Sequence, residues 1–124
     1  MDKFILNIIK RSLNADENFI LYLNKVKSIS TFTNNRYGFE WLFHTTIASH
    51  LISNMNQLGI NKLLVGGINN KNQKPDLQFS YSNQSVAIEL KTIPGNSFSL
   101  LKKDIGKLSK YTGFKFLAAC SYRT

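Results

Sequence analysis

The sequence predicts one α/β domain, and two observations support this fold class. The first is a change of hydrophobic period at Gly59. Apolar residues before it recur with helical spacing, whereas many after it alternate as they do on strands. The second is that a further helical pattern and a last apolar run follow the alternating segments, so helices and strands are interleaved. The chain has 124 residues and no Pro/Gly-rich linker, which suits a single domain over residues 1–124.

The first 36 residues contain two helical patterns. Phe4, Ile5, Ile8 and Ile9 lie on one helical face of DKFILNIIKRSL. The next segment, ADENFILYLNKVKSI, has acids near its start and lysines near its end, which complements a helix dipole. We therefore expect two short helices that form an N-terminal helical cap over residues 1–36.

The elements from Tyr37 to Tyr122 follow the order α-β-β-β-α-β. A wide apolar stripe predicts a long helix from about Tyr37 to Leu58, which Gly59 ends. NKLLVGGI, DLQFSY and SVAIELKT have the composition of strands. FSLLKKDIGKLSKY predicts a helix with Ile105 and Leu108 on its apolar side. FKFLAACSY predicts a last strand that is largely buried and apolar on both faces.

Net charge, apolar runs and cysteine content indicate the class of partner and the location to expect. The formal net charge is +9, so a polyanion, most often a nucleic acid, is the expected partner. No apolar run has the length of a membrane span, and we expect no membrane partner. The single cysteine, Cys120, excludes an internal disulfide and favours a reducing, cytoplasmic location.

The strands DLQFSY and SVAIELKT fit together in one hairpin register. A turn at Ser82 and Asn83 places the apolar residues of both strands on one face. The same register sets Asp76 opposite Glu89 on the other face, with Lys91 two residues further along. A slip of one residue would separate both sets, so the pattern specifies this pairing.

Two directly opposed carboxylates destabilise a sheet unless something offsets their repulsion. Lys91 would offset part of it, and a divalent cation would offset more. Mg²⁺, for which Mn²⁺ substitutes, is held in proteins by one or two carboxylates together with waters and substrate phosphates. Asp76 and Glu89 are therefore candidate metal ligands, and Lys91 is a candidate for orienting or deprotonating the attacking water.

Pro75-Asp76 followed by Glu89-Leu90-Lys91 resembles the signature of the PD-(D/E)xK nuclease superfamily, which includes restriction endonucleases and some RNA-cleaving viral endonucleases. The resemblance covers residues 37–122 and leaves the two short N-terminal helices outside it. It implies a restriction-endonuclease-like core, with a mixed sheet flanked by helices. It also implies metal ligation by Asp76, Glu89 and the backbone carbonyl of Leu90, with Lys91 as the catalytic lysine.

Two residues of the long helix are further candidates. Many members of the superfamily add a glutamate from the first core helix, and Glu40 is the only acid on that helix here, which implies a catalytic and metal-binding role for it. The alternative is that Glu40 lies in the first helical turn because a negative charge is favourable there. His44 follows one turn later and could touch a metal or a phosphate, or it could be a partly buried, hydrogen-bonded histidine.

Candidate nucleic-acid contacts lie on the helix after the motif and just before the long helix. They are basic side chains suited to phosphate contacts: Lys102, Lys103, Lys107, Lys110 and Arg36. Tyr37 could stack on a base. The alternative for the lysines is a solvated helix face, on which Asp104 pairs with the lysines around it.

The resemblance implies a metal-dependent endonuclease, and DNA is favoured because most members of the superfamily cut DNA. Alternatives remain open: an RNA-cleaving nuclease on the same scaffold, an inactive nucleic-acid-binding relative, a protein-interaction domain with a basic surface, and a plain solvated hairpin. A homodimer is a further expectation, since a chain of this size often needs a partner to cut both strands of a duplex.

Overall fold

A computed structural model describes residues 1–15, 36–66, 75–95 and 98–122 of the chain. The fold is α/β, with a four-stranded mixed sheet flanked by helices. The helices are α1 (Asp2–Ala15), α2 (Arg36–Ser53), α3 (Met55–Leu58) and α4 (Lys102–Leu108), the last preceded by a 3-10 turn (Phe98–Leu101). The strands are β1 (Ile60–Val65), β2 (Leu77–Tyr81), β3 (Gln84–Pro94) and β4 (Phe114–Tyr122). The second predicted N-terminal helix lies outside the described residues.

The helix predicted from Tyr37 to Leu58 is divided at Asn54. Asn54 has φ −124° and ψ 19°, outside the helical region, and its Nδ2 donates at 2.8 Å to the His50 carbonyl, which also accepts the Asn54 N–H. Helix α2 therefore ends at Ser53, and the short α3 follows. Gly59 ends the helical region as predicted, since its φ of 70° is the left-handed conformation that glycine adopts without a steric penalty.

The strand order in the sheet is β1-β2-β3-β4. β2 pairs antiparallel with both β1 and β3, whereas β3 and β4 run parallel. The predicted hairpin register is confirmed, with Leu77 opposite Ile88. Ser82 and Asn83 form its two-residue turn with φ of 51° and 61°, as a type I′ turn requires.

One face of the sheet carries the hydrophobic core. Val86, Ile88 and Leu90 of β3 are buried in one cluster with apolar residues of α1 and α2. That cluster includes Ile5, Ile8, Phe43, Ile47 and Leu51. Because side chains alternate along a strand, Glu89 and Lys91 lie on the opposite face, where both form ion pairs with α4.

Two predictions about burial are wrong. β4 was expected to be largely buried, but Lys115 and Ala119 are exposed, because β4 lies at the end of the described sheet with β3 as its only described neighbour. Ile105 was expected on the apolar side of α4, yet it is 56% exposed. Leu108 is the buried apolar residue of this short helix, which faces the sheet through one side only.

Gly113 stands at the entry to β4, where the chain passes close to β3. Its φ is +90°, and a Cβ atom there would lie 2.5 Å from the carbonyl oxygen of Ser85. Only glycine fits this approach without displacing backbone. Among the described residues, no helix has the length and apolar character needed to cross a membrane.

Candidate metal centre

The site forms where the hairpin ladder ends. β2 begins at Leu77, opposite Ile88, while β3 continues to Pro94. The pairing of β3 with β2 stops at Ile88. On that side of β3, the Leu90 backbone hydrogen-bonds to two side chains instead of to a strand. The Leu90 N–H donates to Asp76 Oδ2 at 2.8 Å, and the Leu90 carbonyl accepts from His44 Nε2 at 3.1 Å.

The contact between His44 and the Leu90 carbonyl identifies which ring nitrogen of His44 carries a proton. A carbonyl only accepts hydrogen bonds, so the imidazole carries its proton on Nε2. Burial lowers the pKa of His44, while the charge of Glu40 and the bond to Leu90 act in the opposite direction. His44 Nε2 also lies 4.0 Å from Asp76 Oδ2. The ring therefore contacts both the metal-ligand candidate Asp76 and the carbonyl of Leu90.

The Asp76 backbone is anchored on both sides. Pro75 is among the most deeply buried residues, and the Asp76 carbonyl accepts the N–H of Gly66 at 2.8 Å. Leu77 then enters β2, paired with Val65 of β1. The carboxylate thus projects from a turn whose backbone is held by its neighbours, which preorganises it for binding.

Asp76 and Glu89 form a buried acidic pair. They are 7% and 3% exposed. Burial raises the pKa of Asp76 to about 6, although the Leu90 N–H, Lys107 and a hydrogen bond with Glu89 act to lower it. Burial, followed by the charge of Asp76, raises the pKa of Glu89 to about 7. Without a bound cation, the pair therefore retains a proton at a pH where isolated carboxyl groups are ionised.

One oxygen of the pair is left unsatisfied. Glu89 Oε1 is buried and has no hydrogen-bond partner among the described residues. Lys107 Nζ lies 3.4 Å away in an ion pair, without the alignment of a hydrogen bond. A buried carboxylate oxygen without a hydrogen bond is costly, and a cation is a partner that would satisfy it.

The two lysines at the site are placed differently from the sequence-based expectation. Lys91 was expected to offset the carboxylate repulsion, but its Nζ lies 3.8 Å from Asp104 Oδ2. The ammonium beside Glu89 belongs to Lys107 instead. Asp104 was expected to pair with the lysines around it and pairs with Lys91 of the sheet. Both differences arise because α4 packs across β3, which the chain pattern did not show.

Glu40 lies near the pair but does not complete a three-residue cluster. It is 7% exposed, and its charge contributes to raising the pKa of Asp76. Among the described residues, no group of three or more His, Cys, Asp or Glu side chains is positioned to hold a metal ion. Glu40 thus acts on Asp76 through space in this structure.

The remaining basic candidates are at the surface where they are described. Lys102, Lys103 and Lys110 are exposed, which leaves them accessible to a large anion. Arg36 begins α2, as the residue before Tyr37, and both side chains lie outside the described atoms. Lys107 differs from the other lysines because its side chain is only 21% exposed and faces Glu89.

The donor set fits a hard divalent cation. Asp76 and Glu89 offer carboxylate oxygens, and the carbonyl of Leu90, the residue after Glu89, keeps a second lone pair. Mg²⁺ commonly uses one or two carboxylates and completes its shell with water and phosphate. Comparison of the chain with protein-family models, curated proteins and solved structures finds no match.

Proposed function

We propose that the protein is a metal-dependent nuclease that hydrolyses phosphodiester bonds, with DNA as the first substrate to test, on a restriction-endonuclease-like core. The observation that carries the proposal is the buried Asp76–Glu89 pair at the end of the hairpin ladder. A solvated hairpin would expose these carboxylates, whereas they are 7% and 3% exposed and their pKa values are raised. Buried carboxylates with raised pKa values are concentrated at functional sites.

In this proposal Asp76, Glu89 and the Leu90 carbonyl hold the cation, with Glu40 adding negative charge nearby. Bound Mg²⁺ or Mn²⁺ would activate a water molecule and stabilise charge on the scissile phosphate. Lys91, whose side chain is 22% exposed and whose Nζ lies 3.8 Å from Asp104 Oδ2, would orient that water. His44 holds the Leu90 carbonyl in position through its Nε2–H.

The net charge of +9 and the exposed Lys102, Lys103 and Lys110 support a polyanionic substrate. Each lysine that neutralises a phosphate releases counterions from the nucleic acid. Binding should therefore weaken steeply as salt rises, and it should carry little sequence preference from these contacts.

The test is cleavage of single- and double-stranded DNA and RNA in Mg²⁺, Mn²⁺ or EDTA. Wild type is compared with Asp76→Ala and Lys91→Ala, and with Asp2→Ala and Lys3→Ala as controls on α1. We expect metal-dependent cleavage that both site substitutions abolish and both controls retain. Cleavage that survives chelation or Asp76→Ala would overturn the mechanism.

The same panel separates the alternatives. Cleavage of RNA alone would identify an RNA-cleaving enzyme with the same site chemistry. Salt-sensitive binding without cleavage in either metal would indicate an inactive nucleic-acid-binding module and would overturn the nuclease proposal. Failure to bind any of the four substrates at low salt would favour an acidic protein partner.

A further inference from the structure

Two ion pairs join α4 to β3 across the acidic pair. Asp104 and Lys107 lie three positions apart, on one side of the helix. Glu89 and Lys91 lie two positions apart, on one face of the strand. Lys91 Nζ lies 3.8 Å from Asp104 Oδ2, and Lys107 Nζ lies 3.4 Å from Glu89 Oε1.

The arrangement gives the two lysines different electrostatic surroundings. Lys91 has a carboxylate of its own in Asp104, whose side chain is 17% exposed. Lys107 has the 4%-exposed Glu89 carboxylate, and its charge acts on Asp76 as well. Lys107 is therefore the ammonium that neutralises the acidic pair in the described part of the chain.

The Lys107 ammonium reaches Glu89 through one ion-pair contact of 3.4 Å. Its Nζ does not form an aligned hydrogen bond with Glu89 Oε1, and its side chain is 21% exposed. A lysine ammonium is a compact charge on a flexible four-carbon stem, so it can swing toward solvent without moving the helix. Glu89 offers the same oxygen to a divalent cation.

We infer that Lys107 is a built-in counter-ion of the metal centre, which competes with the divalent cation for Glu89 and contacts the substrate phosphate once the cation is bound. The inference rests on the proposed function and adds a lysine outside the Glu89-Leu90-Lys91 motif to the site. In this arrangement Asp104 is the ion-pair partner of Lys91.

This role predicts effects of opposite sign on metal binding and on cleavage. Removal of the ammonium removes a like charge from beside the acidic pair, and a doubly charged cation gains more from this than the competing proton does, so metal affinity rises. Removal of the same group takes a cation from the phosphate, so cleavage slows. An ion pair that merely anchored α4 would lower metal affinity, or leave it unchanged, when broken.

The first measurement is Mn²⁺ binding by titration calorimetry without nucleic acid, at pH 7.5. We expect Lys107→Gln to bind Mn²⁺ about tenfold more tightly than wild type. Lys107→Arg, which keeps the charge, should stay within about twofold of wild type. Lys3→Gln, at an exposed position of α1 away from the acidic pair, is the control and should also leave the affinity unchanged.

The second measurement is single-turnover cleavage at saturating Mn²⁺, where we expect Lys107→Gln to be at least about tenfold slower. Lys107→Met keeps the length of the stem and repeats both measurements if the Gln variant does not fold. An unchanged or weaker Mn²⁺ affinity in these neutral variants would overturn the inference. If wild type binds no Mn²⁺, the metal centre itself fails; if wild type binds and cleaves while the variants show no gain, only the role of Lys107 fails.

Discussion

Glu89→Gln should stabilise the metal-free protein at high pH while it removes metal-dependent stabilisation. Burial and the charge of Asp76 raise the pKa of Glu89 from its ordinary value of 4.5 to about 7. The folded state therefore binds this proton more tightly than the unfolded state. Its stabilising effect is complete below about pH 4.5 and is lost as pH rises through about 7.

The magnitude follows from the proton affinity. A difference of one pKa unit is equivalent to about 1.4 kcal/mol. The rise in the pKa of Glu89 from 4.5 to about 7 therefore means that its ionisation destabilises the folded state by roughly 3 kcal/mol before screening. Solvent screening reduces this cost to about 1–2 kcal/mol, while the effect of Lys107 is already contained in the raised pKa. A neutral glutamine does not carry the cost at all, and for a domain of this size the gain corresponds to a rise in Tm of about 5 °C.

The assay is thermal unfolding in EDTA at intervals from pH 5 to pH 8.5, followed by circular dichroism. Near pH 5 both proteins carry a neutral side chain at this position, and their melting temperatures should agree closely. As pH rises, the melting temperature of the variant should exceed that of wild type by a growing margin. Asp2→Asn, an exposed acid on α1, is the matched control and should show no such gain.

The same melts in millimolar Mn²⁺ separate binding from stability. Wild type should gain stability from the cation at pH 8, because ligand bound only to the folded state stabilises it. Glu89→Gln should gain little. A variant less stable than wild type at pH 8 in EDTA, or a difference that does not change with pH, would refute the reasoning about the acidic pair.

Three further variants test the structure around the site. Gly113→Ala should lower the free energy of unfolding by at least about 2 kcal/mol in urea titrations, because its Cβ would meet backbone at a positive φ; a loss under 0.5 kcal/mol would contradict that close approach. Replacing Ser82 with Asn and Asn83 with Gly should raise Tm, with a gain of about 0.5–1 kcal/mol, since both positions have positive φ; a lower Tm would argue against the type I′ turn. His44→Ala should cost about 1–3 kcal/mol and weaken Mn²⁺ binding, because the Leu90 carbonyl loses its donor. Unchanged Mn²⁺ affinity in that variant would show that His44 does not position the carbonyl.

The hairpin is the part of the site that the sequence predicted well. Alternation in two adjacent strands admits one register that buries all the apolar side chains together, and that register also brings Asp76 to the end of the ladder beside Glu89. The turn at Ser82 and Asn83 followed from the same parity. These features depend on neighbours in the chain, whose spacing is visible without the fold.

The contacts made by side chains from distant helices were much less accessible. His44 is the buried, hydrogen-bonded histidine that was one of its two expected states, but its partner, the Leu90 carbonyl 46 positions away in the chain, was not predicted. Lys107 was one of several candidate lysines on the same helix. Its ion pair with Glu89 distinguishes it from the others in the structure. The sequence holds an acid and a lysine on each element, Asp104 with Lys107 and Glu89 with Lys91, and their pairing becomes visible only when the helix faces the strand.

The order of helices and strands, the hairpin register and the juxtaposition of two acids in a basic chain are encoded locally, because the period of apolar residues dictates which side chains share a face. The burial of those acids, the rise of their pKa values and the pairing of each lysine depend on how α2 and α4 pack against β3. Burial and Coulomb interactions act through space, between groups that chain spacing leaves unrelated. The acidic pair is thus a property of the sequence, and its chemistry is a property of the packing around it.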